Sequence, residues 1–338
     1  MDLWTIFHKA LARRFMDFIF AEGIAGAVFA RREFEFDEIL SSLSRSHGYA
    51  LKDAKRQRML GVVLDFLIEC EYLRAHRGRY ITSGDCPRPA APEPARLPGG
   101  LQSEYDFFDR CIGHAGAYLR GGRPLYDFSG GSVPVWDEFL GNPEFEYARA
   151  ELIKRLSEGN PAINMALVLC YGPGYDIYHL QRYSEDIRIT AVDYNGVFYE
   201  TAMAKLLRPA SVDWIHSDKW DGFGSPLPIG DGYFDAVIFA CADPYVPDST
   251  RRFVYEDIFR VLKRRGSLGI ITRGYPDAQC AAERRYRISA LCHDFAESVC
   301  DGWQGFYPTS DTRALLEGIG FDIKAVALNE CLWRVDKP

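Results

Sequence analysis

From Ala166 onward the chain alternates short apolar runs with helical stretches, and that alternation restricts the fold more than any other feature of the sequence. Ala166-Leu167-Val168-Leu169-Cys170, Ile187 to Val192, Val212 to His216, Phe234 to Ala240 and Ser267 to Thr272 read as strands of continuous apolar character. Such runs suit a parallel sheet covered on both faces. Helices are predicted between them at Tyr178 to Tyr183, Val197 to Leu207 and Arg251 to Lys263. The pattern predicts an α/β, Rossmann-like domain over 161–338.

At 338 residues, the length favours more than one domain. The boundary lies at 86–100, where prolines at 87, 89, 92, 94 and 98 exclude helix interior and sheet centre and leave a stiff Pro-rich linker. Before it, residues 1–85 carry helical apolar spacing at Leu3 to Phe20, Phe36 to Leu43 and Lys52 to Tyr72. Tyr72 to Thr82 then alternates around Gly78 as a hairpin. Three helices closed by a hairpin predict a winged helix. After the linker, Leu101 to Arg120 and Val135 to Leu156 are helical, forming a connector over 101–160.

Apolar residues make up 47% and charged residues 26%, a globular composition. The 40 basic against 47 acidic side chains leave a net charge of −7, which argues against a nucleic-acid partner. No run reaches the roughly 18–20 apolar residues of a membrane span, and the first residues lack a secretory signal. The nine cysteines are scattered without a CxxC pair, as in reduced cytoplasmic proteins. Cys292, His293 and Cys300 lack a fourth partner at zinc spacing, so no metal is expected.

The first predicted strand runs into Tyr171-Gly172-Pro173-Gly174-Tyr175 just before a helix. Glycines there let backbone amides approach a ligand. The second strand ends in Asp193, about 20 residues after Gly172, where an acid accepts hydrogen bonds from ribose hydroxyls. A dinucleotide would need a third glycine facing its pyrophosphate. Ile177 stands there instead, which favours S-adenosylmethionine (SAM), an adenosyl ligand without phosphate.

On these residues the chain resembles the class I SAM-dependent methyltransferases, and more narrowly the small-molecule O-methyltransferases with an N-terminal winged-helix dimerisation domain. Met59 to Thr82 resembles their last winged-helix helix and wing, Val135 to Phe145 the helix ahead of the SAM domain, and Phe259 to Leu268 the entry to strand five. His216-Ser217-Asp218-Lys219-Trp220 resembles the third-strand motif. The resemblance implies a mostly parallel seven-stranded sheet, a homodimer and a small-molecule acceptor. It also implies that Gly172, Pro173 and Gly174 meet the methionyl group and Asp193 the ribose. Tyr194, Asp218 and Trp220 would hold the adenine, and Cys241 would line the cofactor site.

One position departs from the family. Where its members carry a histidine base after strand four, this chain reads Phe239-Ala240-Cys241-Ala242-Asp243-Pro244-Tyr245, with Ala242 at the base position. General-base catalysis supplies about 10²–10⁴-fold, so three readings stay open. Methyl transfer to an O, N or S nucleophile can proceed by proximity or with Asp243 or Tyr245 as base. SAM can instead be cyclised to azetidine-2-carboxylate with loss of methylthioadenosine, or donate its aminocarboxypropyl arm. A third reading has SAM bound structurally beside another reaction. Tyr171, Tyr175 and Tyr178 around the turn, with Trp136, Phe145 and Tyr147 on the preceding helix, offer aromatic faces to a sulfonium. Tyr175 and Tyr147 are candidates to orient its amine.

Gly274 to Pro308 is long for a connection and in this family would cover the acceptor pocket, with His293 as a displaced base. A DNA-binding regulator remains an alternative, with Lys52, Lys55, Arg56 and Arg58 at the start of the third helix.

Overall fold

The computed structural model describes residues 3–84, 97, 100–159, 162–276 and 281–338, so the linker predicted at 86–100 lies outside the described residues apart from Leu97 and Gly100. The chain divides into two units, residues 1–127 with 278–305, and residues 128–277 with 306–338.

The first unit opens with α1 (Leu3–Ala21), α2 (Ile24–Phe29), β1 (Glu33–Glu35), α3 (Phe36–His47), α4 (Ala54–Glu69), β2 (Leu73–His76) and β3 (Arg79–Thr82), followed by α5 (Gly100–Leu119). Local chemistry sets these boundaries. Glu35 and Glu38 form a capping box at α3, and the Asp53 carboxylate accepts from the Lys55 amide at 2.8 Å to start α4. Arg77 and Gly78 both take positive φ, at 50° and 78°, as a two-residue hairpin turn requires. β1 pairs antiparallel with β3, giving the order β1-β3-β2. The sequence reading missed α2 and β1, because a six-residue helix and a three-residue strand are too short to show a period.

The second unit contains α6 (Val133–Leu140), α7 (Pro143–Gly159), β4 (Met165–Leu169), α8 (Tyr175–Tyr183), β5 (Arg188–Val192), α9 (Tyr199–Met203), β6 (Val212–Ile215), β7 (Phe234–Ala240), α10 (Asp248–Val261) and β8 (Leu262–Ile271). The single helix expected from Val135 to Leu156 is two helices. Gly141 ends α6, and the Asn142 side chain accepts from the Phe145 amide at 3.1 Å to cap α7 with Pro143 at its head. The helix expected from Val197 to Leu207 shrinks to a 3-10 turn at Gly196–Phe198 and the five residues of α9.

The next helix, α11 (Ala281–Glu297), belongs to the first unit and packs on α1, α4 and α5. There the Phe295 ring stacks on Phe15 with centroids 4.2 Å apart, and Phe66 meets Phe15 at 4.6 Å. His293, considered above as a displaced base, is 2% exposed, with its ring among those of Phe7, His8 and Phe108. Burial among aromatic rings makes it part of that core. The basic cluster on α4 is engaged in the same way. Lys55 Nζ donates to the Cys300 carbonyl at 2.8 Å, Arg56 Nε to the Tyr118 carbonyl at 2.8 Å, and Arg58 forks onto Asp294 with two bonds of 2.8 Å. Cations fixed inside their own unit do not present a charged face to a DNA groove, and the regulator reading loses its footing.

The chain ends in the second unit with α12 (Thr309–Ile319), β9 (Asp322–Ala327) and β10 (Leu332–Asp336). Its sheet has seven strands in the order β6-β5-β4-β7-β8-β10-β9. β4, β5, β6, β7 and β8 run parallel, while β10 is antiparallel to both β8 and β9. Leu167, Val237, Phe239, Leu268, Ile270 and Trp333 are among the residues of the core this sheet carries. The connections run one way from β4 to β5 and β6 and the other way through β7 and β8. A crevice therefore opens outside the carboxyl ends of β4 and β7, where ligands of open α/β sheets bind. Among the described residues no helix is long and apolar enough to cross a membrane.

Candidate functional site

The glycine turn leaves the tip of β4, and its backbone is bent to do so. Cys170, Gly172 and Gly174 all have positive φ, at 58°, 47° and 90°. The two glycines differ in why they must be glycine. A Cβ on Gly174, which caps α8, would lie 2.8 Å from Ala202 Cα and Cβ, so the turn is pressed onto α9 there. A Cβ on Gly172 would meet only Leu140 Cδ1, at 3.8 Å. The space beside Gly172 is open, and its backbone amide lies at the edge of that space.

Asp193 follows β5 and reaches this turn. Its Oδ2 accepts from the Gly172 amide at 3.2 Å and its Oδ1 from the Asn195 amide at 3.4 Å. The residue is 9% exposed. Burial outweighs the backbone hydrogen bonds from Gly172, Asn195 and Tyr194 and raises its pKa from the ordinary 3.8 to about 6. The glycine turn and the acid, read separately from the sequence, are thus hydrogen-bonded to each other. Cys170 beside them is partly buried, and desolvation followed by the Asp193 charge pushes its thiol well above the usual range.

The remaining candidates fall into three groups. Tyr194 is 51% exposed, with Gly222 alongside, and Asp218 is exposed after β6. Cys241 sits at the tip of β7 with φ 60°, its amide bonded to the Ile271 carbonyl at 2.7 Å. Pro173 lies between the two glycines of the turn. Trp220 behaves differently from the expectation. It is 4% exposed within the sheet core, its Nε1 donates to the Ser225 carbonyl at 3.1 Å, and its ring meets Phe223 edge-on. An indole packed this way supports the loop after β6 from below.

The three catalytic candidates are not poised for proton transfer. Asp243 is 2% exposed, with both oxygens held by Arg251 at 2.9 and 3.0 Å, and it also accepts from Tyr255 at 2.9 Å. Tyr147 is 63% exposed on α7. Tyr175 donates its hydroxyl to the Asp137 carbonyl at 3.2 Å, and burial followed by the neighbouring Asp137 pushes its pKa up to about 12. Its ring already carries Arg149 at 5.1 Å and Lys205 at 4.9 Å, and a third cation there would be repelled. Tyr171 is buried, bonded through its hydroxyl to His216 at 2.9 Å and edge-on to Trp214. Trp136 stacks on Phe128 at 5.7 Å. These contacts engage Tyr171, Tyr175 and Trp136 among the aromatic side chains invoked for SAM cyclisation.

Sequence reasoning missed Arg149. It lies on the buried side of α7, 3% exposed, with Nε bonded to Asp176 at 3.1 Å. Nη1 donates to the Leu140 carbonyl at 2.6 Å. The signal available was a lone arginine among the apolar positions of an amphipathic helix.

Residues 166–266 match the family described as "Methyltransferase domain". No curated protein matches the chain in sequence. Among solved structures, the CurJ carbon methyltransferase superposes with a TM-score of 0.66 at 11% identity, covering 98% of this chain and 91% of that one. An O-methyltransferase family 2 protein from Planctomyces limnophilus, solved with apigenin, gives 0.62 at 12% identity over 100% and 97%. Human N-acetylserotonin methyltransferase, solved with SAM, gives 0.52 at 14% over 98% and 94%. Identities this low establish shared architecture. Taken with the strand order, they show that this chain has the fold of the class I SAM-dependent methyltransferases, with residues 166–266 matching the methyltransferase-domain model.

Proposed function

We propose that the protein transfers a methyl group from SAM to an O, N or S nucleophile of a small-molecule acceptor. The observation that carries this reading is the Asp193 carboxylate bonded to the Gly172 amide beside the open face of the glycine turn. A buried carboxylate with lone pairs to spare fits the two hydroxyls of a ribose. The uncrowded side of Gly172 fits a sulfonium-bearing chain that needs close backbone approach. When bound, SAM supplies an electrophilic methyl on a positive sulfur.

The chain's own residues bind and orient. Asp193 accepts from the ribose, Gly172, Pro173 and Gly174 line the methionyl arm, Tyr194 and Asp218 hold the adenine, and Cys241 closes the crevice at β7. Ala242 accepts no proton, and Asp243 is locked by Arg251. The acceptor therefore arrives in its reactive protonation state, as an amine, a thiolate or an acidic hydroxyl already ionised, and proximity supplies the rest.

The test is to incubate the protein with SAM, with and without a panel of phenol, amine and thiol acceptors, and to follow products by mass spectrometry. S-adenosylhomocysteine formed only with an acceptor is the expected result. Methylthioadenosine with a four-carbon cyclic amino acid, formed without acceptor, would overturn the reading.

A further inference from the structure

Helix α6 supplies the far wall of the space beside Gly172. Outside the turn itself, the only atom among the described residues within 4 Å of a Cβ placed there is Leu140 Cδ1, and Leu140 is the last residue of α6. The helix is eight residues long, entered through the exposed Gly130-Gly131 and left through Gly141. Its rings pack on its own flanks, Trp136 on Phe128 at 5.7 Å and Phe139 on Phe145 at 5.4 Å. Arg149 holds the Leu140 carbonyl from α7, so α6 turns about that end. The ties across the glycine turn are polar. The Tyr175 hydroxyl donates to the Asp137 carbonyl at 3.2 Å, and Lys205 Nζ lies 2.7 Å from Asp137 Oδ1. Lys205 follows α9, whose Ala202 stands against Gly174, so this cation comes from the element the turn is pressed onto. On its way to Asp137 it passes over the Tyr175 ring, 4.9 Å from the centroid. α6 is thus strapped to α9 across the first residue of α8.

Resting on the SAM reading above, we propose that Asp137 and Lys205 are positioning residues whose ion pair latches α6 over the glycine turn and sets how fast the adenosyl ligand enters and leaves. No atom of either residue lies within 4 Å of that Cβ position, so the pair holds the strap without bordering the space at Gly172. The latch therefore forms with the ligand in or out and slows both directions alike. With side chains 23% and 32% exposed, the pair adds little to folding stability. It is strong enough to hold a short helix and weak enough to release it.

Stopped-flow tryptophan fluorescence with S-adenosylhomocysteine tests this, with Trp136 on α6 among the reporters. Lys205→Met removes the charge and keeps the stem over Tyr175. It is expected to raise the association and dissociation rates together by roughly three- to tenfold, the range of a partly exposed ion pair, and to leave the dissociation constant within about twofold of wild type. Asp137→Asn is expected to do the same, and the double variant no more than either single, as for two groups acting through one contact. Lys205→Arg should retain the wild-type rates. Thermal midpoints should barely change in any of these variants.

Unchanged rates in both single variants overturn the proposal and leave the SAM reading standing. Faster dissociation without faster association also overturns it, since a residue that only shapes the ligand site loses affinity instead. Additive effects in the double variant do so as well. If the wild type binds no S-adenosylhomocysteine in calorimetry, the SAM reading falls and takes the proposal with it.

Discussion

At the scale of single residues, the site turns on one carboxylate whose environment works against its own charge. Asp193 has its pKa raised from 3.8 to about 6 chiefly by burial, so the folded protein holds that proton where an unfolded chain would release it. The sign follows from linkage. The stability contributed by this group is full below the unfolded value and is lost as pH rises through the folded one. Ligand hydroxyls donate to the ionised form, so binding and folding respond to this proton in opposite senses. Affinity for S-adenosylhomocysteine is expected to fall by roughly tenfold per pH unit below about 6 and to level off above it. Calorimetry across that window should show the slope, and Asp193→Asn should flatten it while lowering affinity. A wild-type affinity independent of pH would contradict the placement of the ribose at Asp193. The missing base belongs to this scale too, since the Asp243 carboxylate next to Ala242 is held by a guanidinium and a phenol.

Between elements, the two glycines of the turn separate folding from binding. Gly174 is pinned by contact between the head of α8 and Ala202 on α9, at a φ of 90°. Gly172 has φ 47°, which other residues adopt at a cost of about 1–2 kcal/mol, and open space where a side chain would go. Gly174→Ala is accordingly expected to lower the thermal midpoint by several degrees, because backbone must move to admit the methyl group. Gly172→Ala should lose about 1–2 kcal/mol of stability and most of its SAM affinity, because the new Cβ enters the ligand's space. Thermal unfolding beside calorimetry on both variants decides this. Equal melting losses, or undiminished affinity in Gly172→Ala, would refute the division. The break between α6 and α7 is of the same kind. Gly141 leaves room for the Tyr175 hydroxyl, which a Cβ there would meet.

For the whole molecule, the chain leaves the sheet domain after β8, contributes α11 to the first unit and returns for α12, β9 and β10. The first unit's aromatic core is therefore completed by residues far along the sequence. Phe295, fully buried on α11, stacks on Phe15 and also meets Phe18 at 5.0 Å. Phe295→Ala is expected to destabilise that unit by about 3–5 kcal/mol through the cavity it leaves. Chemical denaturation followed by circular dichroism reads this directly, and a loss below about 1 kcal/mol would show that α11 is dispensable to that core.

The sequence alone determined the sheet-bearing domain, its parallel strands and the partnership of Gly172 with Asp193, because each rests on local chemistry. Apolar runs bury wherever they fold, glycine alone accepts a tight turn at little cost, and an acid at a strand tip has few other uses. Tertiary structure decided what depends on neighbours distant in sequence. It assigned α11 to the first unit and drew Lys55, Arg56 and Arg58 into internal contacts. It locked Asp243 against Arg251, set Trp220 into the core, and brought Arg149 beside the glycine turn. A side chain's type is written in the chain, but its partners are fixed only when the backbone has closed around it.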